Sequence, residues 1–299
     1  MLDLVTVTLL RGKATMKSNL DSVGRRQFLA VSASAAFWGL PRVLQAAEAQ
    51  SQGPYGHWPI GVQSYSFRKF DLYEAVKLIQ RLGVHYVEFF GAHFPTDSSA
   101  EKIAAIQKLL QDAGLSISAH GVDNFGSDHQ ANRALFEFAK QAGIRNITAN
   151  PSLDSFDSLD KLVAEYNIRI CIHNHGPGAL YDGLDSVQQA VEGRHELIGA
   201  CIDTGHVLRS AEDPIHWIRA LGPRVFALHI KDVAELRDKT HNVILGQGHL
   251  DVVEMFKALN DVSFPADGSM SLEYEANPDN PFNDMAECLA VLRKAIALI

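Results

Sequence analysis

Residues 169–173 read Arg-Ile-Cys-Ile-His, a short apolar run that ends in a potential metal ligand. Three further runs of the same kind follow along the chain and end in an aspartate, a histidine and a glutamate. Such runs are typical of buried parallel strands that carry side chains to a site at their carboxyl ends. Two imidazoles and two carboxylates form a ligand set for one divalent ion, with Mn²⁺, Zn²⁺, Co²⁺ and Fe²⁺ as candidates. The four terminal residues are His173, Asp203, His229 and Glu273.

From Pro59 onward, short apolar segments alternate with amphipathic ones without a long linker. The strand candidates are residues 60–65, 84–90, 115–120, 144–149, 168–173, 198–203, 225–230 and 270–274. The helical patterns lie near residues 71–82, 98–113, 129–142, 156–166, 184–191, 212–221, 251–260 and 283–298. Eight strands alternating with eight helices over about 240 residues predict an α/β fold, the (β/α)₈ TIM barrel. A doubly wound open sheet is the alternative, but no Gly-rich phosphate fingerprint follows a strand.

A barrel predicts that polar groups gather at the carboxyl ends of several strands. Three further residues fit this prediction in addition to the four ligand candidates. Glu88 ends the second predicted strand, His120 ends the third, and Asn150 follows the fourth. The pattern therefore favours the barrel and a site at its carboxyl end together.

An export signal is predicted near the N-terminus. Residues 24–30 read Gly-Arg-Arg-Gln-Phe-Leu-Ala, which fits the twin-arginine pattern, and residues 47–49 read Ala-Glu-Ala, which suits cleavage. We therefore expect an N-terminal extension and signal peptide at residues 1–49 and one barrel at residues 50–299. We also expect a periplasmic or other extracytoplasmic protein, with no membrane-spanning segment after the signal is removed.

The net charge of the chain argues against a nucleic-acid partner. Residues 1–49 contain six of the 27 basic and three of the 35 acidic residues, so the remaining chain carries 21 against 32 and a net charge of −11. An acidic surface disfavours a nucleic-acid partner, which requires a basic footprint. The three cysteines cannot form a disulfide framework, and strand alternation predicts that Cys171 and Cys201 are buried, inert thiols.

Five short motifs carry a resemblance to a known family. Their order is His173-Asn-His-Gly-Pro177, Asp203-Thr-Gly-His206, His229-Ile-Lys-Asp232, Gly246-Gln-Gly248 and Leu272-Glu-Tyr274. Because of these motifs and their order, the chain from about residue 58 to residue 298 resembles the xylose-isomerase-like TIM-barrel superfamily, in its sugar phosphate isomerase/epimerase branch. The resemblance implies one divalent metal held by a Glu, an Asp, a His and a final Glu, at positions 173, 203, 229 and 273 of this chain. It also implies a small carbohydrate as substrate, and a homo-oligomer is compatible with it.

The first of these positions departs from the family. Relatives commonly read Glu-Asn-His-Gly where this chain reads His173-Asn-His-Gly176. An imidazole still ligates, but two carboxylates leave the cluster around an M²⁺ ion formally neutral, which polarises a bound oxygen more strongly. In the family's epimerases, two ligand glutamates face opposite sides of the sugar carbon. Only Glu273 remains here, which disfavours a symmetric epimerisation; His175 is an alternative ligand to His173.

Four other residues have roles that the sequence leaves open. The resemblance implies that His206 contacts substrate hydroxyls, although it could instead cap the following loop. Lys231 is expected to stabilise an enediolate or alkoxide oxygen, or else to be an exposed lysine or to pair with the next residue, an aspartate. Glu88 would bind a substrate hydroxyl or orient a neighbour. His120 would contact substrate as a proton shuttle, support a ligand, or pack in the core.

Three functions remain open from the sequence. The first is a metal-dependent sugar isomerase or epimerase in which Glu273, or a nearby histidine such as His206, removes the proton next to a carbonyl. The second shares this step but then expels a leaving group, as a lyase or hydrolase-type enzyme acting on 3-keto-glycosides or inososes. The third is a sugar-binding protein that has lost catalysis. The DNA-repair endonucleases of the same superfamily need a multi-zinc site and a basic groove, and the export signal and negative charge oppose them.

Overall fold

A computed structural model describes residues 53–299 of the chain. The twin-arginine pattern and its cleavage site lie outside the described residues, so the domain division at residue 49 and the extracytoplasmic location remain predictions. Within residues 53–299, no helix combines the length and apolar character that crossing a membrane requires.

Eight parallel strands close into a barrel, which confirms the predicted (β/α)₈ fold. They are β1 (Ile60–Gln63), β2 (Tyr86–Phe89), β3 (Ser116–Phe125), β4 (Asn146–Pro151), β5 (Arg169–His173), β6 (Ile198–Asp203), β7 (Val225–Ile230) and β8 (Ser269–Leu272). Each strand pairs with its neighbours in sequence, and β1 pairs in parallel with β8, which closes the barrel. The carboxyl ends of all eight strands therefore lie on one face, the usual location of active sites in this fold.

Helices separate the strands and cover the barrel. They are α1 (Leu72–Arg81), α2 (Ala100–Ala113), α3 (His129–Ala142), α4 (Phe156–Tyr166), α5 (Leu184–Val191), α6 (Pro214–Leu221), α7 (Val252–Asp261) and α8 (Phe282–Ile296). Side chains that accept hydrogen bonds from the first turn begin several of them, including Asp71, Ser99 and Asp128. The helices α2 and α3 end at Gly114 and Gly143, whose positive φ angles suit a helix C-terminus.

Small side chains fill part of the barrel interior below the strand ends. Cys171, Cys201 and Ala227 lie two residues before the ligand candidates on β5, β6 and β7, and all three are fully buried. Burial raises the pKa of the Cys201 thiol to about 11 and that of the Cys171 thiol well above its usual value. The buried position follows from strand alternation, and the raised pKa values keep both thiols protonated.

Several short elements at the carboxyl face were not predicted, among them the 3₁₀ helices Ser64–Phe67 after β1 and Leu153–Ser155 after β4. A short helix, Thr204–Arg209, follows β6 directly, and a two-stranded hairpin pairs Asp232–Val233 with Asn242–Val243. Each is too short to produce a recognisable hydrophobic period, which explains why the sequence pattern does not reveal it. The strand β3 also extends to Phe125, five residues beyond its predicted end.

The carboxylate of Asp232 organises the segment that follows the hairpin. It accepts backbone N–H bonds from residues 246, 248, 249 and 250 at 2.7–3.0 Å. A Cβ atom at Gly248 would lie 2.2 Å from the Val233 carbonyl oxygen, so the backbone approaches too closely for any other residue. The Gly246-Gln-Gly248 motif is therefore a structural element that fixes one wall of the carboxyl face.

Candidate metal centre

The four ligand candidates meet at the carboxyl end of the barrel. Three of them, His173, Asp203 and His229, are residues of β5, β6 and β7, and Glu273 follows β8 directly. Asp203 and His229 lie opposite each other in the register of β6 and β7. All four are buried, and one potential ligand atom from each lies within 4.8 Å of the others. The four residues therefore form a cluster that could hold a metal ion.

The ring nitrogen Nδ1 of His229 lies in the middle of the cluster. It is 3.0 Å from His173 Nε2, 2.9 Å from Glu273 Oε2 and 3.9 Å from Asp203 Oδ2. The His173 Nε2 atom is in turn 3.3 Å from Asp203 Oδ2. Two nitrogens and two carboxylate oxygens thus point at one another, which is the donor set of a transition-metal site.

The two oxygens of Asp203 have different surroundings. Oδ1 accepts a hydrogen bond of 2.8 Å from the backbone N–H of His206 and so begins the helix Thr204–Arg209. Oδ2 is buried and has no hydrogen-bond partner among the described residues. Although Lys231 Nζ lies 2.9 Å from Oδ2, the angles of that contact are not those of a hydrogen bond. A buried carboxylate oxygen without a donor fits a metal ligand, because leaving it unbonded is costly.

Residues next to the ligands hold the strand ends together. The buried side chain of Asn174 accepts a 2.8 Å bond from the Asp203 backbone N–H and donates a 3.2 Å bond to its carbonyl. The Thr204 hydroxyl accepts from the Lys231 backbone N–H at 2.8 Å and donates to its carbonyl at 2.7 Å. These bonds fix β5, β6 and β7 relative to one another, so the ligand geometry does not depend on loops.

Glu88 lies beneath the cluster and contacts His229. Its Oε1 is 2.9 Å from His229 Nε2 and 2.6 Å from the Thr148 hydroxyl, and its Oε2 is 2.6 Å from the Ser271 hydroxyl. Burial favours the protonated acid, but the charge and hydrogen bond of His229 and the two hydroxyls lower the pKa of Glu88 below its usual value. Burial lowers the pKa of His229, but the neighbouring acidic groups outweigh it and hold this pKa well above its usual value. Ligation through Nδ1 would therefore displace a proton from that nitrogen, while an ionised Glu88 continues to accept from Nε2–H.

Lys231 carries a buried ammonium into the same cluster. Its Nζ lies 2.9 Å from Asp203 Oδ2, 2.9 Å from Glu273 Oε2 and 2.5 Å from Glu275 Oε1. Burial disfavours the charged form, but the three carboxylates hold the pKa of Lys231 well above its usual value. The expected alternative, a pair with Asp232, does not form, since that carboxylate is bonded to backbone N–H groups.

A cavity of about 360 Å³ opens above the cluster. Of the four ligand candidates, His173 and Glu273 line it, and so do His175 and His206. Burial and the neighbouring His173 lower the pKa of His175 to about 4, and burial also lowers the pKa of His206. Both imidazoles are therefore neutral near pH 7. The cavity thus offers neutral imidazoles and one ligand carboxylate to a bound molecule.

Two residues expected to contact substrate do not lie on this cavity. Glu88 is fully buried below the ligands, which favours the alternative that it orients a neighbour. His120 is also buried, with Nδ1 at 2.7 Å from Asp123 Oδ2 and Nε2 at 2.8 Å from the Phe94 carbonyl oxygen. Both ring nitrogens of His120 already have partners in the protein, which favours the alternative that it packs in the core.

The cavity also contains residues that the sequence did not single out. Glu275 lines it and pairs with Lys231. Gln63 lines it at the end of β1 and donates a 3.2 Å bond to the Gly121 carbonyl oxygen. Alternate residues of an extended segment share a face, so the position of Glu275 two residues after Glu273 is the one sequence feature that could have placed it on the cavity.

Comparisons with known proteins agree with the fold. A family model described as xylose isomerase-like TIM barrel matches residues 76–295. An inosose dehydratase of Geobacillus thermodenitrificans is 23% identical over 223 residues, which is 68% of this chain and 73% of that protein. An inosose dehydratase of Clostridium beijerinckii is 26% identical over 148 residues, 43% of this chain and 48% of that protein.

Solved structures share the fold over most of the chain. An uncharacterized protein from Parabacteroides distasonis is 29% identical with a TM-score of 0.63, and the match covers 80% of this chain and 99% of that one. A D-tagatose 3-epimerase-like protein is 18% identical with a TM-score of 0.66, covering 80% and 97%. The second similarity demonstrates a common fold alone.

Proposed function

The chain belongs to the xylose isomerase-like TIM barrel family, and on this basis we propose that it is a metal-dependent enzyme acting on a keto-carbohydrate. The reaction begins with removal of the proton next to a carbonyl. The inosose dehydratases among its relatives, which by name act on a cyclic keto-polyol, support a carbohydrate substrate of this kind. The further step that we propose is the loss of a leaving group, which makes the enzyme a lyase.

The four residues His173, Asp203, His229 and Glu273 would hold the metal. A divalent ion held there would polarise the carbonyl and a neighbouring oxygen of the substrate and so acidify the adjacent C–H bond. The buried, unbonded Oδ2 of Asp203 and the converging imidazole nitrogens are the observations that support this assignment.

Glu273 is the base in this proposal. Burial raises its pKa, but Lys231 and His229 outweigh burial and hold the pKa of Glu273 far below its usual value, so the carboxylate is ionised. The Lys231 ammonium, 2.9 Å from Glu273, lines the same cavity and can donate a hydrogen bond to the oxygen on which negative charge develops. Base and oxyanion donor thus lie side by side.

The observation that carries the lyase proposal is the single ligand carboxylate on the cavity. His173 occupies the wall where the family's epimerases have their second glutamate, and Asp203 does not line the cavity. In our mechanism, Glu273 takes the proton and the C–H electron pair moves onto the carbonyl oxygen. The carbonyl then re-forms, a double bond develops between the deprotonated carbon and the next one, and the oxygen substituent of that next carbon leaves, taking the proton that Glu273 removed, as water or an alcohol. This sequence needs no carboxylate base on the opposite face.

A sugar isomerase or epimerase is the second candidate. The neutral imidazoles of His175 and His206 on the cavity wall support it, because either could carry a proton to the opposite face of the substrate. The two candidates therefore share the proton abstraction and differ in the next step: the intermediate loses a leaving group in the lyase and is reprotonated in the isomerase or epimerase.

The test is proton exchange in D₂O followed by nuclear magnetic resonance. We would incubate the metal-loaded protein with an inosose and with methyl 3-keto-glucoside, and compare Glu273→Gln with the surface variant Glu165→Gln. The lyase predicts an unsaturated ketone from the wild type and the control, and at least a ~10²-fold loss with Glu273→Gln. Deuterated or isomerised sugar without elimination would establish the isomerase instead. Binding without any exchange would leave the sugar-binding protein as the function.

A further inference from the structure

A second, larger depression lies beside the cavity. It has a volume of about 650 Å³, and His175 lines both spaces. We call this depression the side groove; its lining residues are Asn124, Phe125, Gly126, Asn150, Pro151, Ser152, His175, Ala179 and Leu180. The strand β3 runs along both spaces, because Gly121 and Val122 line the cavity and Asn124 and Phe125 line the side groove. The two spaces are therefore adjacent parts of one surface at the carboxyl face.

The side groove carries no charged side chain among its lining residues in the described part of the chain. Among the described residues that line the neighbouring cavity, Lys231 is the only cationic side chain, and it already contacts three carboxylates. These three carboxylates outweigh the charge of Lys231, so a phosphate group would meet no net positive charge on the described walls of either space, and such charge is what favours the binding of an anion. These surroundings favour an uncharged ligand.

The groove combines amides with an apolar surface. The Asn150 amide donates a 3.4 Å bond to the Asn124 side-chain oxygen, and among the described contacts this is the only hydrogen bond of either side chain. The remaining amide donors and acceptors are therefore open to hydroxyl groups. Leu180 is 48% exposed and presents an apolar surface to the same groove. Polar groups beside an exposed apolar side chain suit a ring with hydroxyls on its edge and C–H groups on its face.

The outer wall of the groove is fixed in place by hydrogen bonds. The buried side chain of Tyr181, next to Leu180, donates a 2.6 Å bond to the Pro151 carbonyl oxygen at the end of β4. The His175 backbone N–H donates a 2.9 Å bond to the Tyr181 carbonyl oxygen. The loop that carries Leu180 is thus tied to β4 and to the end of β5, so a ligand would not have to order it first.

We propose that the side groove is a subsite for the leaving group of a glycoside, an uncharged ring such as a second sugar or an aryl group. This inference rests on the proposed lyase function, because it places the oxidised ring in the cavity at Glu273 and the departing alcohol past His175. The substrate is then a 3-keto-glycoside with a bulky aglycone rather than a free monosaccharide or a sugar phosphate.

Calorimetry with two probes tests the subsite apart from turnover. We would measure binding of methyl and of phenyl 3-keto-β-glucoside to the full-length Glu273→Gln protein, in which the substrate persists. We expect the phenyl glycoside to bind about tenfold more tightly, and we expect Leu180→Asp and Asn150→Ala to remove this advantage without changing methyl glycoside binding. The matched control is Leu236→Asp, because Leu236 is also 48% exposed but lines neither space.

The outcomes separate the two proposals. Equal affinity for both probes, or an advantage that both groove variants retain, would overturn the subsite even if the D₂O assay shows elimination. A phenyl advantage that depends on Leu180 and Asn150, without proton exchange by the wild type, would support the subsite and overturn the lyase. The absence of binding of either probe to the Glu273→Gln protein and to the metal-loaded wild type would overturn both. Circular dichroism of each variant excludes misfolding as the cause of a loss.

Discussion

Replacing Glu88 by glutamine should perturb the proposed metal centre without changing any of the four ligand candidates. Glu88 is fully buried and accepts three hydrogen bonds of 2.6–2.9 Å, from His229 Nε2 and from the hydroxyls of Thr148 and Ser271. Glutamine has the same shape and can still accept from Nε2–H through its carbonyl oxygen. The substitution therefore removes one negative charge from behind the imidazole and leaves its packing intact.

The expected cost follows from the contact with His229. Carboxylates that orient a ligating histidine typically contribute ~10–100-fold to metal affinity, which corresponds to about 1.4–2.7 kcal/mol. We expect Glu88→Gln to weaken Zn²⁺ binding by this factor, because Nδ1 of His229 becomes a poorer donor and its tautomer is less firmly fixed. The substitution should leave the fold unchanged, as judged by circular dichroism.

The assay is a competition titration of Zn²⁺ against a chromogenic chelator. The control is Glu165→Gln, which makes the same change of charge at the surface, where Glu165 pairs with Arg133. We expect wild-type affinity from the control, because exposed charges far from the site are screened by salt. An unchanged affinity of Glu88→Gln, or an equal loss in both variants, would refute the assignment of Glu88 as the residue that orients His229.

Three further predictions concern single features of the structure. Lys231→Met should strengthen metal binding by roughly tenfold or more while lowering turnover, because an ammonium 2.9 Å from two ligand carboxylates repels the ion; weaker binding in the same titration would contradict this. Asp123→Asn should lower the free energy of unfolding by roughly 1.5–3 kcal/mol at pH 6 and by less at pH 9. The reason is that burial lowers the pKa of His120, but the hydrogen bond to Asp123 outweighs burial and raises it. The stabilisation by the His120–Asp123 pair is complete below about pH 6.5 and is lost as the pH rises through the raised pKa of His120. Thermal unfolding in which Asp123→Asn loses the same stability at pH 6 and at pH 9 would disprove this prediction. The three cysteines should not react with a thiol reagent at pH 8 until the chain is unfolded, because burial raises the pKa of each thiol; rapid labelling of the native protein would show that the barrel interior is accessible.

The sequence predicted the strands and helices best where burial and capping act locally. The bounds of β6 and β7 match the predicted residues 198–203 and 225–230, because these strands are buried throughout and form uninterrupted apolar runs. The helix α3 likewise matches residues 129–142, because an aspartate begins it and a glycine with positive φ ends it. Local chemistry was sufficient in these cases.

The parts of the site that the sequence did not resolve depend on contacts between distant residues. Glu88 and His229 are 141 positions apart, and nothing local to either indicates that Glu88 lies behind the imidazole rather than on the cavity. The hydrogen bonds of Asp232 to residues 246–250 similarly require the closed loop, so the sequence left a Lys231–Asp232 pair open. Such contacts follow from the closure of the barrel and not from a period or a cap.

The four-residue metal centre is the claim on which the proposed chemistry depends, and metal analysis tests it most directly. The protein, loaded with Mn²⁺, Zn²⁺ or Co²⁺ and freed of excess ion, would be measured by inductively coupled plasma mass spectrometry beside His173→Ala and Asp203→Ala. We predict about one ion per chain in the wild type and a loss of most of it in both variants. A wild type that binds none of the three ions, or variants that retain the full content, would contradict the site and the mechanism built on it.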